Sequence, residues 1–128
     1  MPRTLTTGQL AQQAGIAASA VRYYEEVGLL PAPPRVSGQR RYGPDALDRV
    51  AVIKLAKRAG FRIDEIATLM NGFSDRVPPS ERWRTLAGRK LQEVDRQIAR
   101  ARKMKRLLLH GLKCDCLRLK DCALAKEI

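Results

Sequence analysis

The chain has 128 residues, enough for one small domain with an extended arm, and its 25 Lys and Arg against 13 acids give a formal charge of +12. That excess makes a polyanion the expected partner, because each neutralised phosphate releases condensed counterion; a ribosomal or merely soluble basic protein is the alternative. No run approaches the ~18 apolar residues of a membrane span, the opening M-P-R-T-L-T lacks an apolar signal core, and no basic amphipathic stretch carries exposed aromatics, so a cytoplasmic location without a membrane partner is expected.

Thr6-x-x-Gln9 has the spacing of a capping box, which predicts a first helix opening near Thr7 and ending at Gly15. Leu10 and Ala14 would face a small core, with Ile16 as the apolar residue of the turn. A second helix is expected over 19–28, with Val21 and Tyr24 on one face and Ser19, Arg22 and Tyr23 on another. Its cap is weak, because Ala17 and Ala18 stand where Ser or Asp would be preferred. Two short helices joined by a glycine-containing turn make a helix-turn-helix candidate, whose second helix enters a major groove.

Leu29 and Leu30 should pack back on this head, and Pro31, Pro33 and Pro34 enforce an extended path. Ser37-Gly38 suits a hairpin tip in R-V-S-G-Q-R-R-Y, residues 35–42. A two-stranded wing carrying Arg35, Arg40 and Arg41 is placed for phosphate contact. For Arg22 and Tyr23 the plainer alternative is a solvated helix face.

Pro44 and Gly60 bracket a third helix, 44–59, with Ala46, Leu47, Val50, Ile53 and Leu55 expected on its buried side. A short fourth helix over 63–71 would use Phe61, Ile66, Leu69 and Met70, with Gly72 closing it. Pro78 and Pro79 open the longest element, reaching about His110. Ala87, Leu91, Val94, Ile98, Ala101, Lys105 and Leu108 recur in steps of four and three, a coiled-coil seam. Some 30 helical residues span ~45 Å, more than so small a domain covers by itself. Pairing with a second copy, most simply antiparallel about a two-fold axis, would bury the seam. The organisation read from this is a mainly α chain: a winged helix-turn-helix DNA-binding domain (1–76), a dimerisation helix (77–110) and a cysteine-containing loop and tail (111–128).

All three cysteines, Cys114, Cys116 and Cys122, lie in that last segment, an odd set that argues for metal, cluster or redox chemistry over structural disulfides. Two residues apart, Cys114 and Cys116 cannot share a helix face and must lie in a loop. Three thiolates suit a soft or borderline ion, with His110 as a candidate fourth donor or simply a helix cap. Lys113, Arg118 and Lys120 should favour the thiolate form. A metal-free thiol switch, or three ordinary buried cysteines, would fit the same spacing. With one histidine, no P-loop, no G-x-S-x-G and no paired carboxylates, catalysis is not expected.

The order of elements resembles the MerR family of bacterial transcription regulators. The motifs that carry the likeness are L-A-Q-Q-A-G-I, V-R-Y-Y-E-E-V-G-L-L, S-G-Q-R-R-Y and V-A-V-I-K-L-A-K-R-A-G-F. The wing, the C-D-C-L-R-L-K-D-C segment and Trp83 in R-W-R-T-L are most similar to the redox-sensing SoxR branch. The resemblance implies a homodimer whose heads bind the halves of a pseudo-palindromic promoter and bend its spacer into register for RNA polymerase, using sequence-dependent DNA deformability. It places Ser19, Arg22 and Tyr23 on the DNA, with Tyr24, Arg35, Arg40, Arg41 and Tyr42 making or supporting backbone contacts; Tyr24 is alternatively core. It also implies a [2Fe–2S] centre on C-x2-C-x-C-x5-C, but here the first of those positions is Gly111. The seven residues between Cys114 and Cys122 are instead similar to the copper-sensing branch. Branches sensing divalent ions carry a cysteine near the start of the long helix, where this chain has Pro78, Pro79 and Ser80. The competing function of another class is a constitutive architectural or basic nucleic-acid-binding protein, which would be indifferent to Cys→Ser changes.

Overall fold

Thr6 opens the first helix, α1 (Thr7–Ala14), in a computed structural model that describes residues 3–126. Its Oγ1 accepts from the Gln9 N–H at 3.2 Å, and Gln9 Oε1 accepts from the Thr6 N–H at 2.9 Å, the reciprocal capping box that the spacing predicts. Gly15 ends the helix at φ 70°, a left-handed conformation that side chains resist. From α3 (Pro44–Arg58), Lys54 Nζ donates to the Ala14 carbonyl at 2.6 Å, satisfying one of the open carbonyls at the end of α1.

The second helix, α2 (Ala18–Glu26), starts at Ala17 with no side-chain cap, as its sequence predicts. It is held by packing: Leu10, Val21, Tyr24, Leu29, Leu30, Val50 and Ile53 are all 3% exposed or less. The wing follows as β1 (Arg35–Val36) and β2 (Gln39–Arg40), antiparallel, pairing Arg35 with Arg40 and Val36 with Gln39. Ser37 (φ 52°) and Gly38 (φ 78°) form the tip, two positive-φ residues whose twist matches the strands. Leu5 and Tyr42 exchange two backbone hydrogen bonds of 2.8 Å, a bridge without any period-two signal in the sequence.

Pro44 stands in the first turn of α3 beside Asp45, and Lys57 and Arg58 fill its last turn, so the charges complement the helix dipole. The buried side is Ala46, Val50, Ile53 and Ala56. Leu55 does not belong to it: a step of three from Ile53 reaches Ala56, one position around the helix, and Leu55 is 56% exposed. Leu55 and Val52 instead line an open hollow of about 430 Å³ with Leu69, Met70 and Trp83.

Helix α4 (Ile63–Asn71) buries Ile66 and Leu69, and Glu65 Oε1 accepts from the Arg62 N–H at 2.8 Å. Helix α5 (Pro79–Leu112) has 34 residues. The chain divides into two compact units at residue 86. The opening turns of α5 belong to the first: Trp83 meets Phe61 edge-on at 5.4 Å, Leu86 is buried, and Arg82 donates to the carbonyls of Val77, Met70 and Ser74. In the second unit the seam positions Leu91, Ile98 and Leu108 are 63%, 44% and 70% exposed on the single chain, the stripe expected of a coiled-coil helix. A 3-10 turn (Leu119–Asp121) and α6 (Ala123–Lys126) follow. The first two residues of the N-terminus and the last two of the arm lie outside the described residues. Among the described residues no helix is long and apolar enough to cross a membrane.

Candidate functional site

On α2, burial of Val21 and Tyr24 turns Ser19, Arg22 and Tyr23 outward; Ser19 and Arg22 are exposed and Tyr23 is 45% exposed. Arg35 on the wing is exposed and its Nη1 donates to the Gly38 carbonyl at 3.3 Å, while Arg41 is half-buried. These five side chains remain on the surface of the first unit, where a duplex can reach them.

Tyr24 and Tyr42 do not. They are 3% and 2% exposed and belong to the core beneath that surface, the alternative the sequence left open for Tyr24. The Tyr24 hydroxyl accepts from Lys57 Nζ at 3.4 Å, with the ammonium 5.7 Å from the ring centroid. The Tyr42 hydroxyl donates to Glu25 Oε2 at 2.9 Å. Burial raises the Tyr42 phenol above its ordinary value, and the bond to Glu25 raises it further, so the hydroxyl keeps its proton as a donor.

Arg40 lies between the two classes. Its Nε is 2.9 Å from the same Glu25 oxygen, and its side chain is 30% exposed. That Nε is buried without a well-directed hydrogen bond, so the contact is an ion pair with imperfect alignment. Sequence reasoning missed Glu25, Lys54 and Lys57 as supports. An acid on the helix of a strongly basic head was the available signal for Glu25; the two lysines look like any solvated helix lysine until the fold places them.

In the second unit, the sulfurs of Cys114, Cys116 and Cys122 all lie within 4.8 Å of one another, with Cys114 and Cys116 exposed and Cys122 half-buried. They come together because α5 ends at Leu112 and the 3-10 turn returns the chain, the Cys122 N–H donating to the Leu119 carbonyl at 3.2 Å. Metal–thiolate bonds of ~2.3 Å put ligand sulfurs roughly 3.8 Å apart. The triad fits that spacing once the Cys114–Cys116 pair, at 2.8 Å, opens by about 1 Å in its exposed loop. His110 lines a surface hollow together with Cys114 and Cys116. Gly111 sits in the last turn of α5 with open space where a side chain would start.

The thiol pair is asymmetric. A hydrogen bond from Cys116 holds the Cys114 thiol below its ordinary value, and the same bond, with burial and neighbouring thiols, pushes Cys116 up to about 11. The expected help from nearby cations is not the cause: Arg118 Nε is spent on Asp121 at 3.0 Å, and the shift comes from thiol to thiol.

Residues 5–72 match the family described as MerR HTH family regulatory protein, and residues 47–110 match the family described as MerR, DNA binding. A SoxR homolog of Chromobacterium violaceum, an HTH-type transcriptional activator, is 33% identical over 122 residues, covering 94% of this chain and 82% of that protein. The mercuric resistance operon regulatory protein of Serratia marcescens is 38% identical over 105 residues, covering 81% and 72%. The structure is similar to that of the transcription regulator PbrR691 of Ralstonia metallidurans in complex with lead(II), with a TM-score of 0.75 at 26% identity over 96% of this chain and 98% of that one. It is also similar to HiNmlR bound to promoter DNA, with a TM-score of 0.57 at 29% identity, covering 87% and 89%. With the two family matches together spanning residues 5–110, the chain belongs to the MerR family of helix-turn-helix transcriptional regulators.

Proposed function

We propose that this regulator acts as a homodimer on a pseudo-palindromic promoter and responds to a soft metal ion held by Cys114, Cys116 and Cys122. The observation that carries the metal reading is the approach of the three sulfurs to within 4.8 Å of one another. Relatives support it: one is named for mercuric resistance, and PbrR691 was solved with lead(II).

The exposed stripe of Leu91, Ile98 and Leu108 supports pairing of two α5 helices, antiparallel about a two-fold axis, because a lone helix would leave it in water. Each head then lays α2 into a major groove, with Arg22 and Tyr23 at base edges and the wing arginines on phosphate. Closing the thiol loop on an ion shifts the long helices and with them the heads. The DNA between the half-sites bends and untwists, and RNA polymerase gains a usable promoter. The protein works in the cytoplasm by binding alone, without catalysis.

A second reading is an iron–sulfur centre, favoured by the C-x-C-x5-C spacing shared with the SoxR branch and by the 33% identical SoxR homolog. It leaves one ligand position to a group other than cysteine, since Gly111 carries no donor. The deciding experiment is purification without oxygen, followed by absorbance and elemental analysis. One soft ion per chain with loss of three titratable thiols is the expected result. Brown protein carrying iron and sulfide selects the second reading. Colourless protein whose DNA binding ignores both metals and Cys→Ser changes would sink both and leave a constitutive architectural binder.

A further inference from the structure

An acid near a DNA face repels phosphate, so Glu25 on α2 calls for a physical account. Its Oε2 receives the Tyr42 hydroxyl at 2.9 Å and lies 2.9 Å from Arg40 Nε, and its side chain is 16% exposed. Arg40 closes β2 and Tyr42 follows two residues later at the isolated bridge to Leu5, and both side chains reach the same Glu25 oxygen. Leu5 stands one residue before the Thr6 cap of α1. One carboxylate oxygen therefore joins α2 to the strand that leaves the wing. Nε is turned inward and the side chain is 30% exposed, so the outer end of the Arg40 guanidinium is placed to meet a phosphate.

We propose that Glu25 is a positioning residue of the DNA-reading head: it holds the Arg40 guanidinium at a fixed place relative to α2, so that phosphate contact by the wing and base contact by the helix are made as one unit. This rests on α2 and the wing forming the DNA face, and it assigns Glu25 a part that charge alone would argue against. If Glu25 were an ordinary surface acid, removing its charge would tighten binding to any duplex by relieving repulsion. As a positioning residue, its loss weakens binding to the preferred duplex, because Arg40 is released and must be ordered at the moment of binding.

The test uses the full chain with a duplex that the wild-type protein selects from a randomised pool, and a scrambled duplex of the same composition. Glu25→Gln retains an acceptor for Tyr42 but loses the charge facing Arg40. It should weaken binding to the selected duplex about tenfold, a coupling of ordinary size for a charged pair, with the scrambled duplex bound as well as before or better. Arg40→Ala should show the same loss, and the double variant should be no worse than either single one. Phosphate ethylation interference should disappear at the wing-contacted phosphate in Glu25→Gln and persist elsewhere. Tyr42→Phe, which removes the other partner of the same oxygen but keeps the charge facing Arg40, should lower Tm and weaken binding to the selected duplex less than Glu25→Gln does. Equal or tighter binding of Glu25→Gln to both duplexes, or losses that multiply in the double variant, would overturn the assignment. Failure of the DNA face itself would show differently, as Arg22→Ala and Arg41→Ala leaving binding unchanged.

Discussion

The head and the thiol arm place their functional groups by opposite means. In the head, Arg22 and Tyr23 are aimed because Val21 and Tyr24 beside them are buried, and the wing is tied to α2 through Glu25. In the arm, Cys114 and Cys116 are exposed, and Leu117 and Leu119 are 96% and 95% exposed, so almost no core constrains the sulfurs. Reading DNA requires donors preset against a rigid duplex, and disorder there is lost affinity. A thiol site can be loose, because the ion itself supplies the energy that orders its ligands.

Replacing Ile53 with Ala should test the core-aimed half most severely, costing about 2–5 kcal/mol in denaturant unfolding, whereas Leu55→Ala should stay within about 0.5 kcal/mol. Equal costs would mean that the head's surface is not set by that core. In the arm, each Cys→Ser change should cut affinity for a soft ion at least about 10- to 100-fold in competition titration while leaving unfolding and apo-protein DNA binding unchanged. The asymmetry of the thiols can be read separately by iodoacetamide at pH 8 with mass spectrometry. The Cys114 thiolate forms at lower pH than an ordinary thiol, so Cys114 alkylates first, and Cys116, held protonated up to about 11, lags well behind. Similar rates would remove the thiol-to-thiol bond from the account.

Smaller effects sharpen the division of labour within the head. Arg22→Ala should relax sequence preference at one base position at a cost of ~1–3 kcal/mol, while Arg41→Ala should weaken all duplexes alike and reduce the salt slope by about 1. Smallest is Ser37→Gly at the wing tip, where φ is 52°: glycine adopts that conformation without the Cβ cost, and the change should stay within about 1 kcal/mol of wild type in unfolding with DNA affinity retained.

Elements whose signal is local are legible in the sequence itself. The capping box at Thr6 and Gln9, the Ser37-Gly38 tip, the bounds of α4 and the grouping of three cysteines past a long helix each depend on residues close along the chain. Leu55 shows where local pattern runs out: its hydrophobicity matches that of a buried position, and only the direction of α3 on its neighbours sets it facing an open hollow. Tyr24 and Tyr42 show it on the DNA side, since a tyrosine suits a phosphate contact and a buried hydrogen bond equally well.

The chain's order of caps, turns, prolines and periodic faces by itself determined the helix-turn-helix with its wing, the long apolar-striped helix and the nearness of the thiols, because each is written within a few turns or residues; the family was legible only through the likeness of its motifs. Only the tertiary structure decided which tyrosines are inside, that Lys54 closes the end of α1, and that Glu25 joins the reading helix to the wing. Those facts depend on groups up to 40 residues apart meeting in space. No local propensity encodes such a meeting; it follows from which faces the common core takes up.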